Sequence, residues 1–261
     1  MSVSEASTAL DPARQSDPLC NPWKFWATCA WTVFVLLSWM AVQLIVIACM
    51  LALRGTWGEM SAEDAAKLAS NALVLSSVAI IAGAAEIGVV ALAVRRARCR
   101  FADYLGLVWP SRAYLWIGLA CLVVLLPLGD LSSWMTGRPI VPPFVMDAYR
   151  SARDSGTIWL FAIALVVAAP LAEEIVFRGF MYRGLAASRV GVAGAILIPS
   201  AIWSVMHVQY ETFFIVQIFI LGAVFGWLRW KSGSTWLTIV LHAIINFTSL
   251  LQTVYFVEKM S

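Results

Sequence analysis

The chain has only two histidines, and both lie in strongly apolar stretches beside other polar side chains. His207 is the last residue of the stretch AIWSVMH, and His242 is the second residue of the stretch LHAIIN. A third polar group, two acidic residues followed by an arginine, lies in LAEEIVFRGF. Carboxylates and imidazoles are the usual groups for general acid–base chemistry such as hydrolysis. Ionisable side chains are costly inside a membrane, so their presence there indicates a functional site.

The composition indicates that these polar groups lie in a membrane protein. The 261 residues are 61% hydrophobic and 13% charged, and the mean hydropathy is +0.83. Such values are typical of polytopic membrane proteins. The net charge of +3 is modest, and the basic residues cluster beside apolar segments rather than forming a nucleic-acid patch. We therefore expect a lipid bilayer around the chain and no nucleic-acid partner.

Seven apolar segments have about the twenty residues that cross ~30 Å of hydrocarbon. They predict an all-α fold, a polytopic bundle of about seven to eight transmembrane helices. The segments are 25–53, 72–94, 113–135, 157–177, 191–208, 212–230 and 235–257.

The ends of these segments predict how the chain is arranged around the membrane. Residues 1–24 are polar and lack the features of a signal peptide, which predicts a disordered cytoplasmic tail. The arginine-rich loop at residues 95–112 is expected to be cytoplasmic as well. The cysteines form no Cys-x-x-Cys pair, which predicts buried or free thiols rather than a disulfide framework or a zinc site. They are Cys20, Cys29, Cys49, Cys99 and Cys121.

The acidic pair and the arginine are expected to point in two directions. Adjacent residues of an α-helix point about 100° apart, so Glu173 and Glu174 cannot face the same spot. Glu174 and Arg178 are i, i+4 neighbours and are predicted to form an ion pair on one face. Glu173 is then left to face a neighbouring helix, where its carboxylate could act as a general base. The alternative is an ion pair that only fixes helix packing.

His207 is expected to lie at the same depth in the membrane as Glu173. The two residues are 34 positions apart, and a turn is predicted near Ser188–Gly191. Each is then about seventeen residues from that turn, so an antiparallel helical hairpin places them level. This requires the fourth helix to continue past residue 177. The alternative is a histidine that serves packing alone.

His242 and Asn246 are also i, i+4 neighbours and share one helix face. Both side chains can donate hydrogen bonds, which suits a site where negative charge develops on oxygen. The alternative is that they form hydrogen bonds between helices. Glu86, in the second segment, is a further charged residue for which no specific role follows from the sequence.

Taken in order, three motifs resemble those of the CPBP family, the CAAX proteases and bacteriocin-processing enzymes that are also called Abi proteins. They are Glu-Glu-x-x-x-Arg at 173–178, an aromatic residue four positions before His207, and His-x-x-x-Asn at 242–246. The resemblance covers roughly residues 155–250. The aromatic residue is Trp203, where the family more often has phenylalanine. The stretch Asp103–Pro110 also resembles the family's segment before its core.

The resemblance implies an intramembrane endopeptidase with a catalytic helix core at 155–257, which follows N-terminal transmembrane helices at 25–154. Glu173 and His207 would activate the attacking water. His242 and Asn246 would stabilise the oxyanion, and Glu174 with Arg178 would support that arrangement.

No cofactor is favoured by the motifs. A divalent metal such as zinc remains an alternative, with Glu173, His207 and His242 as its ligands. Because no His-Glu-x-x-His or other compact zinc motif is present, the sequence favours a metal-independent, glutamic-type mechanism.

The expected substrate is a membrane-associated protein or peptide, with C-terminal processing as one form of the reaction. The chain is expected to be an integral, multi-pass protein of the bacterial inner (plasma) membrane. Two other functions stay open. One is a catalytically silent immunity or scaffold protein, and the other is a proton-coupled transporter with a path through Glu86, Glu173 and His207. Transporters often contain internal repeats, and no repeat is evident in this sequence.

Overall fold

The structure is a computed structural model that describes residues 20–54, 61 and 67–259. In this part of the chain the regular structure is helical, which confirms the predicted all-α fold. The principal helices are α1 (Phe25–Arg54), α2 (Ala72–Arg96), α3 (Phe101–Leu105), α4 (Arg112–Met135), α5 (Pro143–Asp154), α6 (Ile158–Ala186), α7 (Gly191–Val205), α8 (Thr212–Ser232) and α9 (Thr235–Lys259).

Six of these helices, α1, α2, α4, α6, α8 and α9, are long and apolar enough to cross a membrane. The chain is therefore an integral, multi-pass membrane protein. The fifth predicted segment forms α7, which has 15 residues and ends at Val205. A helix of that length covers about 22 Å, less than the hydrocarbon thickness. His207 consequently lies beyond the end of α7 rather than within it.

Helix α6 is continuous over 29 residues and extends past residue 177, as the depth argument required. The chain turns at residues 187–190 before α7 begins, where a turn was predicted. Two π-helical segments interrupt α6, at Ala164–Ala168 and Ile175–Met181. Such segments are rare and occur frequently at functional sites. They lie on either side of the Glu173–Glu174 pair.

The first π-helical segment leaves a backbone carbonyl available to another helix. Ala169 donates its N–H to the carbonyl of Ala164, and Pro170 has no N–H to donate. The carbonyl of Leu165 instead accepts a hydrogen bond from Asn246 Nδ2 on α9 at 2.8 Å. The proline therefore creates the backbone acceptor that fixes α9 beside α6.

The segment around α3 is attached to the far side of α6 by a buried arginine. Arg229 on α8 donates from Nε to the carbonyl of Arg178 at 3.0 Å and from Nη2 to that of Leu105 at 3.4 Å. Thr235 N–H bonds the carbonyl of Gly106 at 2.9 Å. Gly106 has a φ of +65°, and a Cβ there would overlap the Arg229 guanidinium. This contact explains why a glycine lies in the stretch Asp103–Pro110.

The prediction that the cysteines are unpaired was wrong, because Cys20 and Cys99 form a disulfide. They are 79 residues apart, so no local spacing could reveal the pair. Asn21 N–H also bonds the carbonyl of Ala97 at 2.9 Å, which holds the chain before α1 against the end of α2. Residues 1–19 of the predicted tail lie outside the described residues. Three cysteines are free: Cys29, Cys49 and Cys121.

Candidate active site

Glu174 and Arg178 form the predicted ion pair, and both are fully buried in the bundle. Arg178 Nη1 donates to Glu174 Oε1 at 2.8 Å. Glu174 is 0% exposed, and Arg178 is 1% exposed. Arg178 also donates from Nη2 to the carbonyl of Gly222 at 3.2 Å, and its guanidinium lies 4.4 Å from the ring centre of Trp203. The charge of Glu174 is thus compensated without contact with solvent.

Glycine at position 222 allows this arginine to reach the backbone of α8. A Cβ there would lie 3.0 Å from Ser200 Cβ on α7 and 3.1 Å from Arg178 Nη2. A Cβ at Gly226 would lie 3.0 Å from Ile196 Cγ2. The Gly-x-x-x-Gly pattern of α8 therefore serves close packing against α7 within the chain.

His242 lies between the two carboxylates. Its Nδ1 is 3.0 Å from Glu174 Oε1, and its Nε2 is 3.9 Å from Glu173 Oε2. The residue is 4% exposed. A carboxylate only accepts, so Nδ1 carries a proton and Nε2 can donate only when the ring carries both protons. This condition applies to any role of His242 as a hydrogen-bond donor to substrate.

Glu173 points to α7, as expected from its position beside the ion pair. Its Oε2 accepts a hydrogen bond from the indole Nε1 of Trp203 at 2.5 Å. The Glu173 side chain is 27% exposed, against 0% for that of Glu174. The two neighbouring carboxylates therefore differ in access: one is sealed in an ion pair, and the other can meet water or substrate.

Trp203 is the residue whose role the sequence analysis underestimated. Its ring makes edge contacts with His207 and His242, at centroid distances of 5.4 and 5.3 Å. The hydrogen bond to Glu173 requires an indole N–H, which a phenylalanine lacks. The signal was present in the sequence as tryptophan at a position where the family more often has phenylalanine.

His207 is held in a defined orientation by the same tryptophan. Its Nδ1 is 2.8 Å from the carbonyl of Trp203. Because a carbonyl only accepts, Nδ1 carries the proton and the neutral ring has its lone pair on Nε2, the form of a base. The ring also stacks on Tyr210 with centroids 5.9 Å apart. Burial raises the pKa of Tyr210 to about 12, so its phenol stays protonated at neutral pH.

The predicted pairing of Glu173 with His207 is indirect. Among the described residues, no hydrogen bond or ion pair joins the two side chains, and Trp203 bonds both of them. Trp203 precedes His207 by about one helical turn. Equal depth of Glu173 and His207 stays a prediction, while the contact that the structure provides is between Glu173 and Trp203.

Asn246 lies one turn after His242 on α9 and is anchored by the carbonyl of Leu165. That bond uses one of the two hydrogens of its amide, so one remains for another acceptor. The structure thus brings His242 and Asn246 to one helix face.

A third carboxyl group approaches the site from α2. Glu86 is 5% exposed and interacts electrostatically with Glu173. A Cβ at Gly83, one turn earlier, would lie 3.1 Å from Ala172 Cβ, which shows how closely α2 crosses α6. Within the described part of the chain, Glu86 has no hydrogen bond or ion pair. The sequence offered no role for it because its neighbour is on another helix.

The proposed metal ligands do not form a ligand set in this arrangement. Among the residues that the structure describes, no three histidine, cysteine, aspartate or glutamate side chains are placed to hold a metal ion. Glu173 and His242 approach each other to 3.9 Å, and His207 bonds the carbonyl of Trp203 through Nδ1, which leaves the lone pair of its Nε2 free.

We expect the Trp203→Phe variant to lower kcat about tenfold, the scale of a hydrogen bond to a charged group. Phenylalanine keeps the ring beside Arg178 and both histidines but removes the donor to Glu173. Steady-state hydrolysis and thermal unfolding of the variant should show a loss of kcat with little change in unfolding midpoint. Trp159→Phe is the matched control, because Trp159 is on the same helix as Glu173 and is 82% exposed. Unchanged kcat in Trp203→Phe would show that the hydrogen bond has no part in turnover.

Comparison with known proteins finds a family match over the helices that carry these residues. Residues 155–248 match the model of the Rce1-like family, described as type II CAAX prenyl endopeptidase Rce1-like. No curated protein and no solved structure matches the chain. The matched residues include α6 from its first turn to α9 beyond Asn246, and so contain all three motifs. The part of the chain that carries the three motifs is therefore similar to the Rce1-like family, in agreement with the resemblance to the CPBP family, and the match supports an intramembrane endopeptidase of CAAX-protease type.

Proposed function

We propose that this endopeptidase cleaves a membrane-anchored protein or peptide near its C-terminus, with water activated by Glu173 and His207. One observation carries the proposal: two adjacent carboxylates have opposite environments. Glu174 is sealed against Arg178, and Glu173 is partly exposed beside His242 and Trp203. This division gives one glutamate a supporting role and leaves the other free for chemistry.

In this mechanism Glu173 accepts a proton from the attacking water. The lone pair on His207 Nε2 orients the same water, since Nδ1 is occupied by the Trp203 carbonyl. The water oxygen bonds to the peptide carbon, and the electron pair of the C=O bond moves to its oxygen. When the tetrahedral intermediate collapses, the C–N bond breaks and Glu173 returns its proton to the leaving amine.

The negative oxygen of the intermediate is stabilised from α9. His242 donates from Nε2 when its ring carries both protons, and Asn246 donates its remaining amide hydrogen. Glu174 holds His242 through Nδ1, and Arg178 holds Glu174. The buried Glu174–Arg178 pair therefore affects the reaction by fixing the position of the His242 imidazole.

The family description supports a substrate whose cysteine carries a prenyl group near the C-terminus. The lipid would hold that substrate in the bilayer, so its C-terminal peptide could reach the helices of the site. Because the family description alone supports the lipid, the test compares a prenylated peptide with an unprenylated one.

The test is hydrolysis by the full chain in proteoliposomes. A farnesylated peptide ending in a CAAX sequence and its unprenylated twin are incubated separately, in water enriched in ¹⁸O, and products are identified by mass spectrometry. We expect cleavage after the prenylated cysteine, with ¹⁸O in the new carboxylate and no effect of a zinc chelator. Equal cleavage of the twin would contradict the lipid requirement. Loss of activity with chelator, restored by zinc, would contradict the metal-independent route. Failure to cleave either peptide would contradict C-terminal processing of prenylated chains.

A further inference from the structure

The turn that ends α2 has an arginine in a conformation that favours glycine. Arg98 has a φ of +57°, the one described non-glycine residue with a positive φ. Arg98 N–H bonds the carbonyl of Arg95 at 3.0 Å, and Cys99 N–H bonds that of Val94 at 3.3 Å. This is the Schellman pattern, in which the left-handed residue is usually glycine. An L residue costs roughly 1–2 kcal/mol there, so an arginine at this position points to a use for its side chain.

A groove of about 490 Å³ lies against this turn. Ile87, Ala91 and Val94 follow one another on one face of α2 and form an apolar wall. Arg95, in the last turn of α2, and Arg98, just after the helix, continue the groove at this end. Because α2 is long and apolar enough to cross a membrane, we expect the wall at the depth of the hydrocarbon and the two arginines near the membrane surface, at the end of the helix.

The positive charge at this end of the groove is not compensated within the described residues. Arg95 and Arg98 are exposed, and neither has an ion-pair partner in that part of the chain. Arg100 differs, since its Nε lies 3.6 Å from Asp103 Oδ2. The disulfide at Cys99 ties the same turn to the segment before α1, so the two guanidinium groups start from a fixed backbone.

We propose that this groove binds an anionic phospholipid. The lipid phosphate lies between Arg95 and Arg98, and one acyl chain follows the wall formed by Ile87, Ala91 and Val94. Charge complementarity selects the anionic headgroup, and the apolar wall selects a lipid over a free anion. The groove is lined by α2, the turn after it and Phe101 at the start of α3, outside the Glu173–His242 site, and the inference does not depend on the proposed peptidase mechanism.

The test measures lipid retention by native mass spectrometry of the full chain in detergent. The probes are phosphatidylglycerol, phosphatidylcholine and inorganic phosphate. We expect one phosphatidylglycerol to be retained by the unaltered chain and its apparent affinity to fall about thirtyfold in the Arg95→Gln/Arg98→Gly double variant, since each arginine near a headgroup contributes about fivefold. Arg96→Gln is the matched control, because Arg96 is exposed in the same turn but does not line the groove.

Thermal unfolding with and without lipid separates a loss of lipid binding from a change in the stability of the variant itself. Arg98→Gly should be at least as stable as the unaltered chain without lipid, because glycine relieves the positive φ. The same variant should gain less stability from phosphatidylglycerol than the unaltered chain does. Equal retention of phosphatidylcholine, an equal loss with Arg96→Gln, or full competition by inorganic phosphate would each overturn the assignment.

Discussion

Replacing Glu173 with glutamine is expected to lower peptide hydrolysis by about 10²–10⁴-fold, the usual contribution of a general base. Glutamine has nearly the same shape, and its side-chain oxygen can still accept the hydrogen bond from Trp203. Its neutral amide cannot take a proton from water. The side chain is also partly exposed, so no buried charge loses its partner. Hydrolysis should therefore fall while the unfolding midpoint changes little.

Glu174→Gln is the informative comparison for this variant. It removes the same charge from the neighbouring residue, but that residue is buried between Arg178 and His242. We expect it to lower both stability and activity. Full hydrolysis by Glu173→Gln would refute the general-base assignment. A Glu173→Gln strain that keeps the biological effect without cleavage would favour the catalytically silent alternative.

Replacing Arg178 with alanine is expected to have the largest effect on stability, about 3–5 kcal/mol. The substitution leaves the Glu174 carboxylate buried without its cation. It also removes the hydrogen bond to Gly222 and the contact with the ring of Trp203. Thermal or denaturant unfolding of the purified chain in a single detergent measures the loss.

Two further variants separate charge from geometry at this position. Arg178→Lys keeps a positive charge, but an ammonium group cannot donate to Glu174 and to the carbonyl of Gly222 as the planar guanidinium does. We therefore expect a loss of stability smaller than that of Arg178→Ala. Glu174→Gln combined with Arg178→Met removes both charges and should recover part of the stability, while activity stays low because His242 loses its charged acceptor. A loss below about 1 kcal/mol for Arg178→Ala would contradict the buried pair as a main stabilising contact.

The features that helix geometry dictates could be predicted from the sequence. The pairing of Glu174 with Arg178 follows from their spacing, and the turn before α7 was predicted near Ser188–Gly191. The different directions of the Glu173 and Glu174 side chains follow from the angle between adjacent helical residues alone. Each of these inferences uses residues within one helix or one hairpin.

Contacts between distant segments could not be predicted in the same way. Cys20 and Cys99 are joined only because the chain before α1 crosses the end of α2. The stretch from residue 200 to 211 contains no glycine or proline, so nothing marks the end of α7 just before His207. The role of Trp203 depends on its indole N–H, which lies beside Glu173 only because α7 meets α6 there. These features depend on how helices meet, which one sequence does not record.

The buried Arg229 limits how far the catalytic region can be treated as a portable module. Its guanidinium is shared between the carbonyls of Arg178 and Leu105, one inside the 155–257 region and one before it. Excision or transplantation of that region would leave the Arg229 guanidinium without the carbonyl of Leu105 in an apolar environment. A chimera that transfers the peptidase core to another membrane anchor would therefore need to carry the segment around Gly106 with it.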